Sequence, residues 1–81
     1  MVQVTLSGPL KTALGGRATV EVEAATIHQL LTRLEKDHPK LKPLIERGVA
    51  VAINGEIYRD DWLRAIPPGS EVVLLPRMAG G

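Results

Sequence analysis

The chain has 81 residues and a formal net charge of +1, which bounds it to one small domain with a thin core and gives no basic field for nucleic acid. One Trp, one Tyr, no Phe and no Cys leave Val, Leu and Ile to build the core, serve base stacking poorly, and exclude disulfides, cysteine nucleophiles and zinc–thiolate sites. No apolar run approaches the roughly 20 residues of a membrane span, and Met1 to Leu6 alternates without a basic stretch ahead of it, unlike a signal peptide, so a cytoplasmic protein is expected.

Val2, Val4 and Leu6 alternate with Gln3, Thr5 and Ser7, the period of a half-buried strand. Gly8-Pro9 and Gly15-Gly16 punctuate the next stretch, and Leu10 and Leu14 within it allow one loose helical turn. Val20 and Val22 alternate with Thr19, Glu21 and Glu23 as a second strand.

The period then changes. Thr26 and Gln29 have the spacing of a capping box, and Ile27, Leu30, Leu31 and Leu34 fall on one helix face. Pro39 disfavours helical geometry at His38, which predicts a helix over about residues 27–37. Leu41, Leu44 and Ile45 suggest a short further turn before Gly48.

Residues 49–53 read as a strand, Asn54-Gly55 as a tight hairpin turn, and residues 56–58 as the returning strand. Asp60-Asp61 suggests a turn or short helix holding Trp62 and Leu63, Pro67-Pro68-Gly69 is another turn, and residues 71–75 form the last strand. Residues 76–81 carry no period and end in two glycines, which predicts a mobile tail after a domain spanning 1–75. One helix among four or five strands implies an α+β domain of two layers.

With one helix, one face of the sheet lies open. Alternation places Val73 and Leu75 on that face beside Ala50 and Ala52, an apolar patch running straight into the tail. The patch is the candidate surface for a partner protein.

Enzyme-like constellations are absent. His28 and His38 lie ten residues apart and suggest no metal site, adjacent Asp60 and Asp61 point apart, and Gly15-Gly16 lacks the Lys and Ser/Thr of a phosphate loop. The chain end is different. Six extended residues reach about 20 Å, and a tip without β-carbons fits a narrow channel. Gly80 and Gly81 are therefore the candidate working residues, with Ala79, Met78 and Arg77 as recognition elements.

Ala50 to Gly55, Pro68 to Pro76, and Met78-Ala79-Gly80-Gly81 together resemble the β-grasp, ubiquitin-like sulfur carriers, including the molybdopterin-synthase small subunit and the thiamine-biosynthesis carrier. Leu75-Pro76-Arg77 and the long connection from Gly8 to Arg17 look more like the former, and Arg59-Asp60-Asp61-Trp62 more like the latter. The resemblance implies a mixed sheet of four or five strands crossed by one main helix. It also implies that a ubiquitin-activating-like adenylyltransferase uses ATP to adenylate the Gly81 carboxylate, that sulfur replaces AMP to give a thiocarboxylate, and that a second enzyme takes the sulfur. The molybdopterin-synthase large subunit is the acceptor first expected. Thiamine, cysteine or other sulfur metabolites, and conjugation to lysines as a modifier, are the alternatives. On this reading the chain is a cosubstrate or non-catalytic small subunit, with no cofactor or metal bound and no nucleic-acid or membrane partner.

Overall fold

The computed structural model describes residues 2–59 and 61–76. Five strands, β1 (Val2–Leu6), β2 (Thr19–Val22), β3 (Val49–Ile53), β4 (Glu56–Tyr58) and β5 (Val72–Pro76), form one sheet in the order β2-β1-β5-β3-β4. The sheet is mixed: β1 and β5 are parallel, and every other neighbouring pair is antiparallel. The last strand in sequence therefore occupies the middle of the sheet. Val72 and Leu74 on it are fully buried, level with Val4 and Leu6 on β1 and with Ile53 and Val51 on β3.

Three helices follow the chain: α1 (Pro9–Ala13), α2 (Ile27–Asp37) and α3 (Lys42–Arg47), with a 3-10 turn at Pro39–Leu41 leading into α3. The main helix has the predicted limits. Its apolar stripe, Ile27, Leu30, Leu31 and Leu34, is buried against the inner face of the sheet. The first three helical N–H groups of α2 all find partners. The Thr26 hydroxyl accepts from Gln29 N–H at 3.2 Å, and the carbonyls of Arg64 and Trp62 accept from Ile27 and His28 N–H at 3.1 and 2.8 Å. Gln29 Oε1 reaches back to Ala25 N–H, one residue before the position a capping box uses. The helix stops at His38, whose N–H closes on Leu34 O at 2.8 Å.

The loop after β4 thus works as a brace. It crosses the N-terminus of α2, bridges Ala65 to Thr26, and buries Ile66. Trp62 and Leu63 form a turn in it, and both side chains remain exposed.

The last strand starts and ends one residue later than expected. Glu71 N–H is taken by the Asn54 side chain rather than by the sheet, and Pro76 still lies opposite Val49.

Candidate functional site

Cross-strand register assembles the outer face residue by residue. Thr19, Thr5, Val73, Ala52 and Ile57 stand in one row across all five strands. One step along β5, Leu75 lies opposite Ala50. The inner rows are Val20, Val4, Val72 and Ile53, then Leu6, Leu74 and Val51. The parity assigned to Val73 and Leu75 therefore places them together on the outer face, each half-buried.

Two details of the patch differ from expectation. Ala50 occupies the outward register but is only 5% exposed. Its strand is interior to the sheet, and a methyl group lies below longer neighbours such as Leu75 opposite. Ala50 is a floor to the patch rather than a contact. Conversely, Ile57 is 56% exposed and extends the apolar row to the sheet edge. The signal for it was available: a two-residue Asn-Gly turn fixes Ile53 opposite Glu56, and hence Ile57 opposite Ala52.

The end of β5 is framed by the helical side. Gly8 caps α1 at φ 58°, and a β-carbon there would sit 3.8 Å from Pro76 Cγ. Leu44, Arg47 and Gly48 of the α3 end, with Pro9 and Leu10, line a cleft of about 150 Å³ beside Pro76. The expected recognition and reactive residues Arg77, Met78, Ala79, Gly80 and Gly81 lie outside the described residues.

The other polar groups serve the fold. Arg64 Nε donates to Asp61 Oδ2 at 2.9 Å while its guanidinium lies 4.6 Å from the Tyr58 ring centre. Tyr58 in turn donates to Glu56 Oε2 at 2.7 Å, and that hydrogen bond holds the phenol above its ordinary pKa. Asp60, the other half of the paired aspartates, lies outside the described residues. His28 stands beside Leu31, Glu35 and Trp62, whereas His38, at the C-terminal end of the helix, lines a separate cleft with Arg17 and Glu21. Among the described residues no three His, Asp or Glu side chains converge, and no helix is long and apolar enough to cross a membrane.

Comparison with known proteins gives the context for this geometry. Residues 4–81 match the model of the ThiS family. Among solved structures, a chain of the Amycolatopsis orientalis BexX/CysO complex superposes with TM-score 0.78 at 27% identity, covering 100% of both chains. Haloferax volcanii SAMP1 gives TM-score 0.70 at 26% identity over 99% of this chain and 98% of that one. Mycobacterium tuberculosis CysO, at 22% identity and TM-score 0.76 over 96% of this chain and 100% of that one, shares the fold. A search of curated sequences gives no match. The chain belongs to the ThiS family, the β-grasp, ubiquitin-like sulfur carriers.

Proposed function

Proceeding from membership of that family, we propose that this chain carries sulfur as a thiocarboxylate on Gly81. The observation that carries the reading is the path of β5. The central strand presents Val73 and Leu75 on the open face and then runs directly into residues 77–81. A partner that binds the apolar row of Val73, Ala52 and Ile57 receives the chain end within the reach of the five residues after Pro76.

The chemistry suits a carrier without catalytic groups. A carboxylate oxygen of Gly81 attacks the α-phosphorus of ATP held by an activating enzyme, and pyrophosphate leaves. The acyl-adenylate is then an electrophile with a good leaving group. Hydrosulfide adds to its carbonyl, the carbon–oxygen bond to AMP breaks, AMP departs, and the thiocarboxylate remains after loss of the thiol proton. Glycine at this position leaves the carbonyl unshielded.

The acceptor to which Leu75-Pro76-Arg77 points is the large subunit of molybdopterin synthase. The likeness to a chain of the BexX/CysO complex supports a second reading, delivery to another sulfur-accepting enzyme. The likeness to SAMP1, a small archaeal modifier protein by name, supports a third, attachment to lysines. The test is intact mass after co-expression with the activating enzyme from the same genome. One oxygen exchanged for sulfur supports the carrier, a ladder of heavier conjugates supports the modifier, and an unchanged mass refutes both. Sulfur transfer from the loaded chain to each candidate acceptor then identifies the pathway.

A further inference from the structure

The two outer strands of the sheet are unequally closed. The two-residue turn makes 53–56 and 51–58 the hydrogen-bonded pairs of the β3–β4 ladder, so Ile57 alone on β4 directs its backbone groups outward. On β2 the opening is longer. Leu6 N–H donates to Ala18 O at 2.7 Å, which makes 6–18, 4–20 and 2–22 the hydrogen-bonded pairs of the β1–β2 ladder. Thr19 and Glu21, between them, therefore direct both N–H and C=O away from β1. Both residues are exposed, and an open groove lined by Arg17, Thr19, Glu21 and His38 follows this edge.

An open edge of this kind accepts another strand. Its charges select which one. Arg17, Thr19, Glu21 and Glu23 alternate along the edge, with the base at one end and the acids at the other. Reversed upon itself, this edge is self-complementary. A two-fold axis through the Thr19 pair sets Glu21 opposite Arg17 of the second copy, and an axis through the Val20 pair sets Glu23 opposite Arg17. Registers centred on Arg17, Glu21 or Val22 instead bring like charges face to face (Arg17 on Arg17, Glu21 on Glu21, Glu21 on Glu23), which is unfavourable.

We propose that two copies of this chain pair antiparallel through their β2 edges, continuing the sheet across a two-fold axis. The interface is isologous, so each contact occurs twice. Such pairing leaves both outer faces on the same side of a ten-stranded sheet, with two strands, β1 and β2, separating each β5 from the interface. A contact between two short edges buries much less than a standard interface, so the association is weak.

Sedimentation equilibrium of the purified full chain, from micromolar to millimolar concentration, tests this. The weight-average mass should climb from one chain toward two. Thr19→Pro removes an outward N–H without touching the β1 ladder, and Arg17→Glu sets acid opposite acid. Each should weaken association by about tenfold or more, the ratio that corresponds to about 1.4 kcal/mol. Adding Glu21→Lys and Glu23→Lys to Arg17→Glu should restore it. A melting curve for each variant verifies folding, and should Thr19→Pro unfold, the charge-reversal series decides. A single-chain mass at millimolar concentration, or a dimer indifferent to Arg17→Glu, overturns the proposal.

Discussion

Asn54 holds Glu71 twice: its N–H donates to Glu71 O at 2.8 Å, and its side-chain Oδ1 accepts from Glu71 N–H at 2.9 Å. This clamp ties the tip of the β3–β4 hairpin to the residue before β5, so it sets Ile53 opposite Val72 and Ala52 opposite Val73. A slip of one residue would move Val73 to the core and Val72 to the open face. Which residues stand on the open face thus depends on an asparagine in a turn.

Asn54 also sits at φ 50°, where a β-carbon is strained and Asn and Asp are tolerated. Asn54→Gly loses the side-chain bond but gains backbone freedom, and should cost about 1 kcal/mol. Asn54→Ala loses the bond and adds strain, for about 2–3 kcal/mol in total. Asn54→Asp keeps both the acceptor and the conformation and should be nearly neutral. Denaturant unfolding gives the order, and an alanine variant as stable as the glycine variant refutes the strain argument.

Leu30 and Leu34 are fully buried on the one long helix. Leu30→Ala or Leu34→Ala should each destabilise by roughly 2–5 kcal/mol. A domain of this size has only about 5–15 kcal/mol in total, so either change threatens folding at physiological temperature. A loss below about 1 kcal/mol, the level of a surface change, would mean that these side chains do not fill the core.

The elements with strong periodicity were legible from residues alone: α2 from its Leu and Ile spacing, β1 and β2 from alternation, and the hairpin from Asn54-Gly55. What escaped was decided by contacts between distant segments. The role of Asn54 in placing β5 depends on a bond seventeen residues away. Ala50 reads as outward by alternation, but its burial depends on being interior to the sheet beside Leu75. The extent of α1 and α3 was only hinted at, because five and six residues contain too few turns to show a period. For the candidate site, Val73 and Leu75 were visible in the alternation of β5, whereas Ile57 needed the register that the Asn54-Gly55 turn imposes on the hairpin to be carried across to Ala52.

Tyr58 offers a spectroscopic check on the β4 edge. The Glu56 carboxylate accepts its hydroxyl proton, which raises the phenol above its ordinary value of 10.0. A raised folded-state value means that the folded chain holds this proton longer than the unfolded chain. The stabilisation is therefore complete below about pH 10 and is lost as the pH rises through the folded-state value. Absorbance titration of the phenolate should show a midpoint above that of a free tyrosine, and Glu56→Ala should lower it. An unchanged midpoint would show that the Glu56 bond does not persist in solution.

On the open face, Val73→Asp and Ile57→Asp place a charge in the apolar row without entering the core. Both should weaken binding to the activating or acceptor enzyme by tenfold or more, the scale of about 1.4 kcal/mol, and the melting temperature should change little. Calorimetric binding and thermal melts separate the two effects. Ala50→Asp should instead destabilise the fold, because that position is almost closed to water. A Val73→Asp variant that unfolds would mean that the outer row is needed for the fold itself.

The chain end is the most direct test of the proposed chemistry. Deleting Gly81 moves the carboxylate inward by one residue, about 3.3–3.6 Å of extended chain. Catalytic groups fixed in an activating enzyme cannot follow, and a misplacement of only about 1 Å can cost a hundredfold in rate. Thiocarboxylate formation should therefore be lost. Extending the chain beyond Gly81 should abolish it as well, because the free carboxylate then belongs to another residue at the wrong depth. Gly80→Val should be nearly as harmful, since a β-branched side chain stiffens the backbone and widens the thread. The core of the described residues is built from side chains up to Leu74, so the melting curves should coincide with that of the unaltered chain. The assay is activation with ATP and a sulfide source, read by intact mass. Full thiocarboxylate formation on the chain lacking Gly81 would show that the enzyme does not read the position of the terminal carbonyl, and the proposed role of Gly81 would fall.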